Sequence, residues 1–155
     1  MRGGFLHTSV LITSIENCFR GLGAKIHREA VVCMGNRIGF IDLVVILGSM
    51  VIACEAELSA DRVISDIAKA MSAEADLLLI VVPTPRVARA VRRRLAPAAR
   101  ILKGAPPICV LPLGAALQQL GKKGRFVTHV NVPQTFNQNA GWADSKACGN
   151  GEDKS

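Results

Sequence analysis

Three acidic residues stand at the ends of the most apolar stretches of the chain, where carboxylates are costly. Asp42 interrupts a Val/Ile-rich run, and Glu55 and Glu57 close the next run. Side chains alternate along a strand, so Glu55 and Glu57 share one face, and the turn at Gly48-Ser49 brings Asp42 alongside them. Carboxylates that converge raise one another's pKa unless a cation lies among them. We therefore expect a Mg²⁺ or Mn²⁺ site, because these ions take oxygen ligands and leave room for phosphate oxygens and water.

A lysine follows on the helix that leaves from these acids. From that helix, Lys69 can reach back over the strand ends to polarise an attacking water or to stabilise charge on a phosphate. Plainer interpretations stay open: each acid can be a solvated carboxylate, and Lys69 can be a surface lysine paired with Asp66 or Asp61. Three acids at strand ends followed by a helical lysine favour the catalytic interpretation.

The elements that must position these residues alternate in an α/β order. Hydrophobic periodicity predicts strands in the Val- and Ile-rich runs and amphipathic helices between them. Ser59 is the expected N-cap of the helix that carries Lys69. The predicted elements are a helix over 7–21, strands over 24–32, 38–47 and 50–57, a helix over 59–75, a strand over 76–82, a helix over 85–95 that can resume to 102, a strand over 108–111 and a helix over 113–120. This order predicts an α/β fold with a mixed sheet.

At these residues the chain resembles a known family. The segments Gly-Phe-Ile-Asp at 39–42, Cys-Glu-Ala-Glu at 54–57 and Asp-Ile-Ala-Lys-Ala at 66–70 look like the core of the PD-(D/E)XK nuclease superfamily. They are similar to the branch that contains small Holliday-junction resolvases and the nuclease-like modules of mobile elements. The resemblance covers about residues 8–95 and rests on a short motif. It implies the restriction-endonuclease-like fold, a three-layer α/β/α arrangement around a central mixed sheet.

The resemblance also implies a role for each residue. Asp42 and Glu55 would hold the metal ion and activate water. Glu57 stands where the family places a lysine, and it would assist the metal or orient water. Lys69 would replace that lysine from the following helix, as in members that move it there. Glu16, in the first helix, matches an additional metal-associated acid of many members.

One segment accounts for the net positive charge of the chain. Between Pro85 and Lys103 lie seven basic residues and no acid, which equals the whole net charge of +7. A solvated helix face is the plainer interpretation, and a surface that follows DNA phosphates is the functional one. Since the aromatic content is only 4% and no base-reading motif is present, the pattern favours contact with the DNA backbone over sequence readout. The expected DNA-binding residues are Arg86, Arg89, Arg92, Arg93 and Arg94.

Composition excludes several other classes of protein. The chain is 50% hydrophobic, and the strongest candidate for a membrane span, the uncharged run over residues 43–54, is shorter than the roughly 18 apolar residues that a span needs. Five cysteines without a Cys-x-x-Cys pair indicate neither a disulfide framework nor a zinc site, and we expect a cytoplasmic protein with no membrane partner. We predict a nuclease-like domain over 1–132 and a polar, disordered tail over 133–155.

Together these observations predict a Mg²⁺- or Mn²⁺-dependent endonuclease that binds DNA and hydrolyses phosphodiesters. A homodimer is expected, since one small catalytic unit does not easily cut both strands. Two alternatives remain. The chain can be an inactive DNA-binding or assembly module of the same fold, which Glu57 in the lysine position supports, or an unrelated α/β domain that binds a nucleotide or a protein.

Overall fold

The computed structural model describes residue 4 and residues 6–121. A π-helical segment, Leu6–Ile12, leads into the first α-helix. The elements that follow in chain order are α1 (Thr13–Gly21), β1 (Lys25–Met34), β2 (Arg37–Leu47), β3 (Met50–Ala56), α2 (Val63–Ser72), β4 (Leu77–Val82), α3 (Pro85–Ile101), β5 (Ile108–Pro112) and α4 (Leu113–Gly121). The predicted domain boundary at 132 and the predicted tail over 133–155 lie outside the described residues.

The five strands form one mixed sheet in which the spatial order is the chain order, β1-β2-β3-β4-β5. The first three strands are antiparallel, and β3, β4 and β5 run parallel to one another. The two-residue turn between β2 and β3 produces the predicted antiparallel pair, while the parallel pairs need the crossover helices α2 and α3. The α/β prediction with a mixed sheet is confirmed.

Helices cover both faces of this sheet, so the predicted three-layer α/β/α arrangement is confirmed as well. Alternate residues of the buried strands face opposite layers, as period-two geometry requires. On one face Ile52 and Leu79 pack with Phe19 of α1 and Leu120 of α4. The other face packs against α2 and α3, and its core includes Ala53, Leu78, Ile80, Ile67 and Val91.

Helix boundaries differ from the prediction at several places. The first helix, predicted over 7–21, is π-helical over Leu6–Ile12 and α-helical only over Thr13–Gly21. Helix α2 begins at Val63 rather than at Ser59, because the Ser59 hydroxyl donates to Asp61 Oδ2 at 2.7 Å in a local turn. Helix α3 passes through Pro97 without a break. Pro97 removes the N–H that would bond the carbonyl of Arg93, but both residues are exposed, so water can serve that carbonyl.

The described residues also bear on the state of the cysteines and on membrane spans. Cys18, Cys54 and Cys109 carry free thiols, whereas Cys33 is disulfide-bonded, which the cysteine spacing does not predict. Within residues 6–121, none of the helices is both long enough and apolar enough to cross a membrane.

Candidate active site

The site lies at a fork where β2 and β3 separate. Their backbone ladder ends at the pair Leu43 and Cys54. Beyond this pair, side chains replace the backbone carbonyls as hydrogen-bond acceptors. Asp42 Oδ2 accepts a hydrogen bond from the Ala56 N–H at 2.8 Å, and Glu55 Oε2 accepts one from the Asp42 N–H at 3.4 Å. The two acids therefore satisfy the backbone groups that the fork leaves open, which fixes their carboxylates at the end of the sheet.

The side-chain alternation of β2 changes at the same point. Ile41 packs in the core under α2 and α3, whereas Leu43, two residues on, packs in the opposite core. On the neighbouring strand, Glu29 has a φ of +48° and lies between two regular pairs of the β1 and β2 ladder. Residues two apart normally share a face, so the side-chain alternation is reset at Asp42. This places Asp42 at the fork rather than in either core.

Lys69 joins this fork from α2. Its Nζ donates to Glu55 Oε1 and to Asp66 Oδ1, each at 2.8 Å. Asp66 is fully buried and the Lys69 side chain is only 16% exposed, so these ion pairs are shielded from water. A lysine ammonium has three N–H groups, and two of them are used here. The third is left for an oxygen in the adjoining cavity.

Glu57 and Asp66 affect each other's pKa beside the lysine. Asp66 Oδ2 is buried and has no hydrogen-bond partner among the described residues. Burial, and then the Asp66 charge, raise the pKa of Glu57 to about 8. Burial also raises the pKa of Asp66, although Lys69 acts in the opposite direction.

The electrostatics of the fork show an excess of negative groups. Burial, and then the charge of Asp66, raise the pKa of Glu55 to about 9, although Lys69 acts in the opposite direction. Burial lowers the pKa of Lys69, but the Glu55 and Asp66 carboxylates outweigh it and the net shift is upward. One ammonium group thus does not offset burial and the neighbouring carboxylates, and the pKa values of Glu55 and Glu57 stay above their ordinary value.

A cavity of about 390 Å³ opens onto these groups. His7, from the π-helical segment, closes one side, and its Nε2 lies 3.2 Å from Asp42 Oδ2. A second cavity of about 430 Å³ shares His7, Glu57 and Arg62 with the first, so the two cavities adjoin at this end of the sheet. The first cavity is lined by His7, Phe40, Asp42, Glu55, Glu57, Arg62, Ser65 and Lys69.

The donor set of this cavity fits Mg²⁺ or Mn²⁺ better than zinc. Among the described residues, no group of three or more His, Cys, Asp or Glu side chains is placed to hold one metal ion. Mg²⁺ is commonly bound by only one or two carboxylates, with water and substrate phosphates completing its shell. Asp42 and Glu55 line the same cavity and could supply such a pair. A closed zinc site would need four protein ligands.

The structure does not bring Glu16 to this fork. Glu16 lies on α1 with its side chain 8% exposed, and its two carboxylate oxygens bond Arg20 and Arg28. Burial acts to raise the pKa of Glu16, but the hydrogen bonds and charges of the two arginines outweigh it and lower the pKa. The metal-associated role of Glu16 therefore finds no support in its contacts, which join α1 to β1 instead.

We expect the substitution Glu16→Gln to reduce stability without affecting the fork. Arg20 and Arg28 would lose a charged partner, which should cost about 1–2 kcal/mol of unfolding free energy. Urea unfolding measures this cost, and Mn²⁺ titration of the same variant measures metal affinity. A metal affinity that falls tenfold while stability is unchanged would restore the metal-associated role.

The basic helix begins at the same sheet edge as the fork. The Glu57 N–H donates to Val81 O at 2.9 Å, so the ends of β3 and β4 are adjacent, and α3 starts three residues after Val82. Thr84 caps α3 by accepting from the Val87 N–H. The five arginines predicted to bind DNA are all exposed, and one of them, Arg92, also donates to Val110 O at 2.6 Å.

Sequence reasoning missed three members of the site. Asp66 lies three residues from both Val63 and Lys69, on the face of α2 that packs on the sheet. An acidic residue on the buried face of an amphipathic helix is the sequence signal that points to it. His7 and Arg62 also line the cavity. His7 has no local signal in the sequence, because it reaches the fork only through the packing of the π-helical segment against the sheet.

Comparisons with known proteins add no relative to this description. No family model, no curated protein and no solved structure matches this chain.

Proposed function

We propose that the chain is a Mg²⁺- or Mn²⁺-dependent endonuclease of PD-(D/E)XK type that hydrolyses phosphodiester bonds in DNA. The observation that supports it best is the fork itself, where Asp42, Glu55 and Lys69 line one cavity. Two carboxylates and an ammonium group, held by backbone and ion-pair contacts, are the groups that phosphodiester hydrolysis needs in one place.

In this proposal the chain's own residues position the substrate and stabilise charge. The unused N–H of Lys69 donates to a non-bridging oxygen of the scissile phosphate, whose negative charge grows as water attacks. Asp66 holds Lys69 from behind, so the ammonium group does not need to reorganise during the reaction. Glu57, at the cavity wall, orients the attacking water.

Asp42 and Glu55 would hold the metal ion. When bound, Mg²⁺ or Mn²⁺ supplies positive charge that makes water more acidic and stabilises the phosphate oxygens. The fork would keep the two carboxylates in place, because each also accepts a backbone hydrogen bond across the separated strands.

DNA would reach the fork along α3. The basic residues project from a helix whose first turn lies at the edge of the sheet that carries the acids. Phosphate contacts of this kind give affinity and orientation without sequence preference. A homodimer that cuts both strands and a cytoplasmic location complete the proposal.

One observation favours an alternative function, a DNA-binding module of the same architecture without activity. Glu55 Oε1 and Asp66 Oδ1 both bond Lys69, so the acids have an internal counter-ion even when no metal is bound. In that case Lys69 would serve the folded state rather than the reaction, and DNA binding by α3 would be the whole function.

Cleavage assays separate the two functions. The purified chain is incubated with branched, nicked and linear DNA in Mg²⁺, in Mn²⁺ and in EDTA. The endonuclease proposal expects products only with metal, and loss of those products in Glu55→Ala with DNA binding retained. Glu74→Gln, an exposed acid outside the cavity, is the matched control and should cleave normally. Binding without cleavage under every condition would support the inactive module.

The basic helix gives a prediction of its own. In the variant with both Arg89→Gln and Arg93→Gln, two exposed charges of one helical stripe are removed. The slope of log affinity for duplex DNA against log salt should fall by roughly 2, about one for each lost phosphate contact. Fluorescence anisotropy over a range of salt concentrations measures this slope. An unchanged slope would mean that this helix face is only solvated.

A further inference from the structure

Arg62 lies where the two cavities of the site adjoin. Its side chain lines the cavity that Lys69 also lines, and it lines the second cavity, of about 430 Å³. The loop between β3 and α2 contributes Leu58, Ser59 and Asp61 to the wall of the second cavity. A ligand that extends from the first cavity into the second would therefore pass beside Arg62.

Helix geometry places Arg62 on the same side of α2 as Lys69. Arg62 directly precedes Val63, the first residue of α2, and its backbone is already helical, with a φ of −100° and a ψ of −9°. Lys69 is seven residues further along, which is close to two full turns, so the two side chains leave the helix in nearly the same direction. At 1.5 Å per residue, their Cα atoms are roughly 10 Å apart. One side of α2 thus presents two cationic groups to the cavity.

These two cationic groups differ in what they already bind. Lys69 Nζ donates to two carboxylates, at 2.8 Å each. The Arg62 side chain is exposed, and within the described part of the chain it forms neither a hydrogen bond nor an ion pair. Even the adjacent acid, Asp61, accepts from the Ser59 hydroxyl instead. The guanidinium group is therefore free to bind a ligand, and its planar fork of N–H groups matches two oxygens of a phosphate.

We propose that Arg62 binds the phosphate next to the scissile phosphate on the same DNA strand. This inference rests on the proposed function for the scissile phosphate, which Lys69 would contact. Neighbouring phosphates of one strand are joined through a single nucleoside, and two long side chains that leave one helix two turns apart can reach both. The site would then require two phosphates around one nucleoside, whatever its base, because phosphate contacts carry no sequence information.

The test uses two small probes, thymidine monophosphate and thymidine bisphosphate, which carry one phosphate and one on each side of the sugar. Neither contains a phosphodiester bond, so neither is a substrate, and calorimetry with the full chain in Mg²⁺ measures both affinities. The wild type should bind the bisphosphate about tenfold more tightly, because the second phosphate adds charge-assisted hydrogen bonds. Arg62→Gln should lose that preference and bind the monophosphate as the wild type does.

Two controls separate this effect from general loss of charge or of fold. Arg37→Gln removes another exposed arginine, at the hairpin end of β1 and β2 and outside both cavities, and it should keep the preference. The urea midpoint of Arg62→Gln should match that of the wild type, because the side chain is exposed.

The other outcomes distinguish failure of this inference from failure of the proposed function. Equal affinity of the wild type for both probes, or an equal loss for both in Arg62→Gln, overturns the inference even if the chain cleaves DNA with Mg²⁺. A preference that persists in Arg62→Gln assigns the second phosphate to another basic group and also overturns it. A preference that depends on Arg62 in a chain that never cleaves DNA supports the two-phosphate site and contradicts the proposed endonuclease. If neither probe binds and no DNA is cleaved, both are overturned.

Discussion

The variant Lys69→Met should lose cleavage and become less stable. Its ammonium group is the cation between Glu55 and Asp66, and no described basic side chain other than Lys69 bonds either acid. Cleavage should fall at least about a hundredfold, because a preorganised donor to the phosphate is lost. The free energy of unfolding should fall by about 3 kcal/mol, the lower end for a broken buried pair, since neighbouring carboxyls can take up protons. Single-turnover kinetics and urea unfolding measure the two effects.

A second variant separates these two roles of the lysine. In Lys69→Met combined with Asp66→Asn, one of the acids left unpaired is neutralised, so part of the lost stability should return. Cleavage should not return, because the donor to the phosphate is still absent. Lys103→Met, an exposed basic residue, is the matched control and should change neither quantity. If cleavage recovers together with stability, Lys69 only supports the fold.

In the absence of metal, the protein should become less stable as the pH rises above about 5. In the folded state Glu55 and Glu57 have pKa values of about 9 and about 8, against an ordinary value of 4.5. Between the ordinary and the raised values, the folded protein binds more protons than the unfolded chain. The unfolding free energy therefore falls as pH rises and is greatest below the ordinary value. Thermal unfolding in EDTA should show a melting temperature several degrees lower at pH 8 than at pH 5.

Two comparisons identify the groups responsible for this pH dependence. Glu55→Gln should reduce it, leaving the part due to Glu57, and should melt above the wild type at pH 8 in EDTA, because folding then takes up no proton at this position. Mg²⁺ should raise the melting temperature of the wild type more at pH 8 than at pH 6, and should not raise that of Glu55→Gln. The lowered pKa of Glu16 acts in the opposite direction. Glu16 contributes stability at pH values above its ordinary pKa, and this contribution is lost on acidification, below the pH range of this comparison. A flat profile in the wild type would contradict the electrostatics of the fork.

The strands and helices could be predicted from the sequence because their periodicity is local. The runs that became β2, β3 and β4 are dense in Val, Ile and Leu, and a Gly-Ser turn separates the first two. The start of α2 could not be placed, because Ser59 satisfies its hydroxyl within a turn to Asp61 rather than at a helix end. The continuity of α3 through Pro97 depends on solvent access to the carbonyl of Arg93, and the local sequence pattern does not show whether that carbonyl is exposed.

The candidate site was predictable only in part, for a related reason. Strand alternation places Glu55 and Glu57 on one face, and α2 does cover that face with Lys69. The partner that organises this face, Asp66, could be recognised as buried only once the side of α2 that packs on the sheet was known. Glu16 shows the converse. Its type and helix suggested a metal role, whereas its partners Arg20 and Arg28 depend on how α1 lies across β1.

The strands lie in the sheet in the same order as they follow in the chain, and this order affects how the protein folds. Every neighbouring pair in the sheet joins strands that are consecutive along the chain, so few contacts require the closure of long loops. Asp42, Glu55, Asp66 and Lys69 all belong to the single stretch from β2 to α2. The pairing of β2 with β3 and the docking of α2 are therefore enough to assemble the fork, before β5 and α4 join the sheet. We expect refolding monitored by hydrogen exchange to protect the Ala56 amide, which bonds Asp42, earlier than the amides of β5.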